Sequence, residues 1–433
     1  MKRIGLLIII LMLSTLTATA DTIDIEQFLN RVEAHSKDLK LAKQELRTAD
    51  ANKREALSGA LPHLSANAGY NRNLNETYMY VDLGEGTSKL RVNRDNEYSA
   101  SVVVGQTLFN GTVYNAIKGA NQYKKMSNFI YDASHQEIIT YANKAFYQAL
   151  LLRVVREVSQ ASEQNAYENY LDIKKAFDNG LVSEFDLLQA EVRHKDLVPQ
   201  TTEAERNYKI ALINLKNLAG IPVDEDISLY GGLDKYPDLP ERESLATILK
   251  NRPDFNALLW QEKLYNTSIS AERSGYLPTL SGSLAYAFSS QSNEWSFDDK
   301  NEALVLGVNL SFPIFSGGAT RARVQKAKIE RDKSRIIIDK TRENIEMEIE
   351  SIRLRLDEAH SRILSANSTL KTAEKAFAIA EATSRSGLST QLELKDSRVM
   401  LDQATTGYYS AVYEYLEAYF DWERAIGKAD IDG

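Results

Sequence analysis

The sequence predicts a mainly α-helical chain with a small membrane β part, built from a duplicated helix–strand–strand–long helix–helix unit. Three such chains are expected to close a twelve-stranded β-barrel continued by a long α-helical barrel. Three observations predict this fold class. "SGALPHLSANAGY", from Ser58 to Tyr70, returns as "SGYLPTLSGSLAY", from Ser274 to Tyr286, and both times a helical pattern gives way to an alternating one. Residues 319–386 run without a glycine or proline, far longer than an ordinary globular helix. Four short segments alternate apolar with small or polar residues, as strands with one apolar face do.

The repeat organises the chain. Pro62 and Pro278 are 216 residues apart; "LFNG" at Leu108 and "IFSG" at Ile314 are 206 apart, and "NGLVSEFDLL" at Asn179 and "SGLSTQLELK" at Ser386 are 207 apart. After a signal peptide over residues 1–20, the first repeat (21–220) is read as helix 25–59, strands 64–72 and 98–109, long helix 113–178, tip turn 179–183 and helix 184–218. An equatorial connection covers 221–252. The second repeat (253–427) is read as helix 254–274, strands 279–289 and 303–312, long helix 319–386, tip turn 386–390 and helix 391–426, with a tail over 428–433. The first half carries about ten extra residues within 71–97, read as a hairpin loop with "GEG" at its tip.

Each element has its reason. In the second long helix Ile345, Ile349, Ile352, Leu356, Ala359, Ile363, Ala366, Leu370, Ala373, Phe377 and Ala380 recur at spacings of four and three, the seam of a coiled coil. Such a helix is roughly 100 Å long. The two helices 25–59 and 184–218 are together about as long as one long helix, so they are expected to stack end to end along it. Pro62 and Pro278 end a helix and start extended chain. Gly111 and the pair Gly317-Gly318 are expected to let the chain turn back into helix.

In the strands, Leu64, Ala66, Ala68 and Tyr70 share a face, as do Val102 and Val104, Leu284, Tyr286 and Phe288, and Leu304 through Phe312; the opposite face is small and often polar. Four strands cannot close a membrane barrel, and an open edge in lipid leaves backbone groups unpaired. Two copies would give eight strands, filled by their own side chains. Three give twelve, which suits the small inward residues.

Composition excludes several classes. Lys2 and Arg3, an apolar core from Ile4 to Leu13 and Ala18-Thr19-Ala20 read as a secretory signal. Its removal would take the formal net charge from −8 to −10, which argues against nucleic acid. There is no cysteine, so no disulfide, thiolate metal site or lipid-modified N-terminal cysteine is expected. No enzyme, cofactor or metal is expected: the five histidines are dispersed without HExxH spacing, and "GEGTSK" lacks the spacing of a phosphate loop. Arg252-Pro253-Asp254 reads as a helix start. Tyr408, Tyr409, Tyr413, Tyr415 and Tyr419 read as packing.

With this order of elements, "LPHLS" and "LPTLS", "NRPD" at Asn251 and the turns "GLVSEFDLLQAE" and "GLSTQLELKDS", the chain resembles the TolC-like family of outer-membrane efflux proteins over nearly all of its length. The resemblance implies a homotrimeric outer-membrane duct with a long periplasmic extension. Its partners would be a periplasmic adaptor protein and, through it, an inner-membrane pump, in efflux or type I secretion. It implies that Gly180, Leu181, Val182 and Ser183 in one tip, and Gly387, Leu388, Ser389 and Thr390 in the other, contact the adaptor. It also implies that Glu393 and Asp396 line a pore constriction, with Asp186 and Gln189 at the equivalent spacing. Glu393 stands where an aspartate is typical, and Ser389 where some members place an arginine. On residues alone, Gly180 and Gly387 are helix C-caps, and an acidic pair one turn apart is a solvated face or a helix-dipole partner. The competing reading is a periplasmic coiled-coil structural or adaptor protein that never enters lipid.

Overall fold

The computed structural model describes residues 21–428 apart from 83, 85, 298 and 387–389. The signal-peptide expectation and all but the first residue of the tail lie outside these. The elements, in chain order, begin with β1 (Asp21–Ile23), α1 (Ile25–His35), α2 (Lys37–Ser58), β2 (His63–Arg72), β3 (Tyr78–Asp82), β4 (Thr87–Arg91) and β5 (Asn96–Phe109). Then come α3 (Gly111–Asp178), α4 (Glu184–Ala219), β6 (Ile227–Leu229), α5 (Leu245–Asn251) and α6 (Pro253–Arg273). The last are β7 (Thr279–Ser292), β8 (Asp299–Ser311), α7 (Ala319–Arg385) and α8 (Gln391–Ile426). They fall into two compact units: one holds the chain up to Ala42, Ala133–Arg252 and the chain from Asn344, and the other Lys43–Asp132 and Pro253–Glu343. The units thus cut across the sequence repeat, and each takes corresponding pieces from both halves.

The second unit contains a four-stranded antiparallel sheet in the order β2-β5-β7-β8. Its register aligns the alternation across strands. Leu64, Val104, Leu284 and Leu306 form one row, and Ala66, Val102, Tyr286 and Leu304 the next. The rows between them are Ser65, Val103, Ala285 and Val305, and Asn67, Ser101, Ala287 and Ala303. A one-residue slip would put the leucines on the small-residue face, so the pattern fixes the pairing. Helices continue the strands in the same order. α2 is joined to α3 by Asp50–Lys124 at 2.5 Å, α3 to α6 by Thr267 Oγ1 donating to Gln122 Oε1 at 2.7 Å, and α6 to α7 by Glu262–Arg335 at 2.7 Å. The outer members of this layer are β2 and β8 and, among the helices, α2 and α7.

The first unit holds a matching helical layer, α4-α3-α8-α7. Gln160 donates to Glu205 at 2.8 Å, Lys144 to Asp421 at 2.6 Å and Arg362 to Glu414 at 2.7 Å. Its core is the seam expected from the heptad: Ile345, Ile349, Ile352, Leu356, Ala359 and Ile363 are buried, as are Val412 and Tyr415 on α8. Towards the tip the seam loosens, and Ala366, Leu370, Phe377 and Ala380 are half-buried. The parallel pair β1–β6 is tied down by Arg153, which donates to the carbonyls of Leu229 and Gly231 at 2.7 and 2.6 Å.

Several sequence expectations need correction. The helix read over 25–59 is two helices broken at Ser36, which leaves helical geometry at ψ 127° while its hydroxyl accepts from Leu39 N at 3.4 Å. The helix break at Arg252, 216 residues later, corresponds to it. End-to-end stacking therefore takes a different form: Gly220, ending α4 at φ +66°, abuts His35 at the first break, and Gly427, ending α8 at φ +78°, abuts Asn251 at the second. A Cβ on either glycine would come within 2.7–2.8 Å of those neighbours. Gly317 and Gly318 have positive φ as expected, but Gly111 does not; it is the first residue of α3, where a Cβ would stand 2.7 Å from Ser274 Oγ. Close helix approach, not a turn, requires glycine there. As expected, the stretch 71–97 forms a hairpin with Gly84 and Gly86 at its tip; its arms are the short strands β3 and β4. β7 and β8 run longer than read, to Ser292 and from Asp299.

Candidate functional site

The two tip turns are built from the same parts. α3 ends with Gly180 at φ +71°; Gly180 N donates to Phe177 O at 2.8 Å and Leu181 N to Ala176 O at 2.9 Å. This paired closure satisfies the last carbonyls of the helix. α4 then starts with Ser183 as N-cap, and Asp186 accepts from Ser183 N at 3.1 Å and from its hydroxyl at 2.6 Å. In the second tip Thr390 caps α8, and Glu393 accepts from Thr390 N at 3.0 Å while Glu393 N donates back to Thr390 Oγ1 at 3.2 Å. Both are reciprocal capping boxes. Gly387, Leu388 and Ser389 lie outside the described residues.

The expected gate residues therefore divide. Asp186 and Glu393 each hold a helix start, and the two hydrogen bonds from Ser183 lower the Asp186 pKa below its usual value. Gln189 and Asp396, one turn further on, are exposed, with no described hydrogen bond or ion pair. Among the described residues no hydrogen bond or ion pair joins the carboxylates of one tip to those of the other. What sequence reasoning missed is apolar. Beside Leu181, which was expected there and is 77% exposed, Phe185, Leu188 and Val192 extend a stripe from the first tip, and Leu392 is exposed at the second. The spacing 185, 188, 192 on a capped helix was the available signal. Behind the second tip, a groove of about 720 Å³ runs between α7 and α8, walled by Ser365, Thr369, Thr372, Gln403, Ala404 and Gly407. Gly407 has nothing within 4 Å of where its Cβ would stand.

The sheet is the other candidate surface. Leu304, Leu306, Val308 and Leu310 on β8 are each more than 65% exposed. At one end of the apolar face Tyr70, Tyr98, Trp295 and Phe297 form a cluster with ring centres 4.6–5.3 Å apart. At the other end Tyr276, Leu277, Ile314 and Phe315 are exposed, the last two at 90% and 89%. An apolar band flanked by aromatic residues is the pattern of a lipid-facing barrel wall. Among the described residues no helix is long and apolar enough to cross a membrane.

Comparison with known proteins agrees with this geometry. The family model for outer membrane efflux proteins matches residues 28–221 and 245–428. The chain is 23% identical over 340 residues to the outer membrane protein TolC of Salmonella enteritidis, covering 76% of this chain and 66% of that protein. It is 23% identical over 262 residues to the alkaline protease secretion protein AprF of Pseudomonas aeruginosa, covering 59% and 54%. The matched segments thus span less than two thirds of these relatives. Its fold is similar to the crystal structure of the CmeC outer membrane channel of Campylobacter jejuni, with a TM-score of 0.79 at 20% identity over 94% of this chain and 86% of that one. Twice-matched, with two capped helical tips and a sheet that is apolar on one side, the chain belongs to the outer membrane efflux protein family.

Proposed function

We propose that the protein is a passive outer-membrane exit duct, a homotrimer that conducts substrates delivered by a periplasmic adaptor and an inner-membrane pump, in efflux or type I secretion. It is not an enzyme in this reading. The observation that carries it is the sheet: one face apolar, the other small and polar, and two edge strands without partners. Three copies joined β2 to β8 make twelve strands with a wet lumen and no edge in lipid. The helices support the same closure. In the first unit α4 leaves Val198, Ile210 and Ile213 exposed, and α7 leaves Met347, Leu354 and Leu364 exposed. Names among the relatives, TolC and AprF, fit an outer-membrane location and a role in export.

In this duct the tips dock the adaptor through Gly180, Leu181, Val182, Ser183, Gly387, Leu388, Ser389 and Thr390, with the apolar stripe of Leu181, Phe185 and Leu188 as added contact. Glu393 and Asp396, and with them Asp186 and Gln189, ring the periplasmic constriction, where three-fold symmetry multiplies each carboxylate. Like charges in a narrow tube favour cations. The test is single-channel recording of the purified protein with Glu393→Gln and Asp396→Asn. Glutamine keeps the capping hydrogen bond to Thr390 N, so the helix start survives while the charge goes. Cation preference and block by multivalent cations from the periplasmic side should both weaken. Unchanged selectivity and block would reduce the two residues to helix-surface charges. Absence of any conductance, in protein that fractionates as soluble, would favour the coiled-coil adaptor reading.

A further inference from the structure

The apolar face of the sheet continues onto the helices beneath it. Phe109 pairs in register with Leu280, and Leu280 with Leu310, so the three share a row of that face. The Phe109 ring lies 6.3 Å from Tyr114 in the first turns of α3, and Tyr114 is 60% exposed. A groove of about 350 Å³ begins at Tyr114 and runs between α3 and α6, lined by Lys118, Asn121, Lys125 and Trp260. Tyr114, at its mouth, is the residue whose ring meets Phe109 of the apolar face. The groove lies between the two inner helices of the layer, so copies joining at α2 and α7 leave it uncovered.

The groove carries positive charge without local compensation. Lys125 Nζ stands 4.7 Å from the centre of the Trp260 ring and Lys263 Nζ 3.8 Å, so two ammonium groups share one indole. Neither they nor Lys118 forms an ion pair with a described carboxylate. On α6 Glu262 is engaged with Arg335 and Glu272 with Arg323, and Asp50 on the neighbouring α2 is engaged with Lys124. The neighbouring start of α7, residues 319–343, holds nine Lys and Arg against four Asp and Glu, in a chain whose formal net charge is −8. A basic, aromatic-edged groove next to an apolar wall is the composition of a membrane interface.

We propose that this groove binds the headgroup phosphate of an anionic phospholipid in the periplasmic leaflet of the outer membrane. The proposal rests on the reading that the sheet spans that membrane. Lys118 lies four residues past Tyr114, about 6 Å along the helix, which places it within a headgroup layer roughly 5–8 Å thick. It donates to the phosphate together with the Asn121 amide. Lys125 and Lys263 sit deeper and raise the positive potential of the groove, an effect that fades over about 8 Å at physiological salt. Tyr114 lies at the level of the lipid carbonyls, beside the acyl chain that follows Phe109.

The experiment uses the purified protein in phosphatidylethanolamine nanodiscs containing phosphatidylglycerol, with protein-bound lipid counted by native mass spectrometry. Lys118→Gln with Lys125→Gln should lower bound phosphatidylglycerol roughly tenfold, while the same charge change far along α7, outside the basic stretch, Lys371→Gln with Lys375→Gln, should leave it unaltered. Both pairs are exposed, so folding is preserved. Equal retention in the groove variant, or equal loss in the α7 variant, overturns the proposal. Displacement of the lipid by inorganic phosphate at matched concentration would make the site one for free anions and overturn the lipid assignment. Failure of the unaltered protein to enter bilayers would overturn the membrane reading itself; normal insertion with unchanged lipid retention sinks only the groove.

Discussion

Arg252 is 6% exposed, and its guanidinium meets Glu348 at 2.6 Å and the Ala425 carbonyl at 3.2 Å; Glu348 also accepts from Arg424 at 2.9 Å. One buried charge thus ties the α5–α6 break to α7 and α8. Read from sequence alone, "NRPD" is only a helix start, because the partner lies 96 residues away. Arg252→Ala leaves Glu348 with only Arg424 and should destabilise the protein by about 3–5 kcal/mol, measurable as an earlier denaturation midpoint, whereas an exposed arginine such as Arg321 should change it little. Nearby, burial pushes Glu423 up from its ordinary 4.5 to about 7, against the opposing pull of the Tyr419 hydroxyl and Lys428. The folded protein therefore holds a proton that the unfolded chain has lost between those two values. Stability from this group is present below about pH 4.5, declines as pH rises towards 7, and is absent above. Glu423→Gln should stabilise the protein at pH 8 and do so less at pH 5; an equal effect at both would show that the carboxyl titrates normally. Tyr413 and Tyr415, both raised to about 12 by burial, behave as packing residues.

At the scale of elements, strands were the most legible part, because a period of two admits only one assignment of faces once the rows of Leu64 and Ser65 are set against their partners. The break at Ser36 was hidden: no glycine or proline marks it, and the serine that caps α2 sits inside an otherwise helical pattern. The tips show the same ambiguity in reverse. "SEFD" and "TQLE" are capping-box words, yet Asp186 and Glu393 were singled out as pore residues through family resemblance. Both roles use the same carboxylate, so only function separates them. The caps have their own consequence. Ser183→Ala and Thr390→Ala should each cost about 1 kcal/mol locally, seen as faster amide exchange in the first turn of α4 or α8; unchanged exchange would mean the boxes do not hold those turns. Gly180→Val, by contrast, forces a β-branched residue into positive φ at a turn with open space around it. Export should fall while the chains still assemble, and export that survives matching changes in both turns would remove the tips as the docking surface.

For the whole molecule, the same order of neighbours recurs in strands and helices: β2-β5-β7-β8 above α2-α3-α6-α7, and α4-α3-α8-α7 in the other unit. Among the described residues the sheet ends in β2 and β8, each paired on one side only. This explains why the chain was readable as an incomplete object: four strands and four helices per level demand other copies before the backbone of the edge strands is paired. In the proposed duct the lumen face offers small side chains such as Ser65, Asn67, Ala285 and Ala303, which do not by themselves select a cargo. Copy number is therefore the quantity on which the account turns. Native mass measurement of the protein extracted from membranes in mild detergent tests it most directly: a complex of three chains is the expected result, and a stable, fully dispersed single chain that still forms channels would contradict the account.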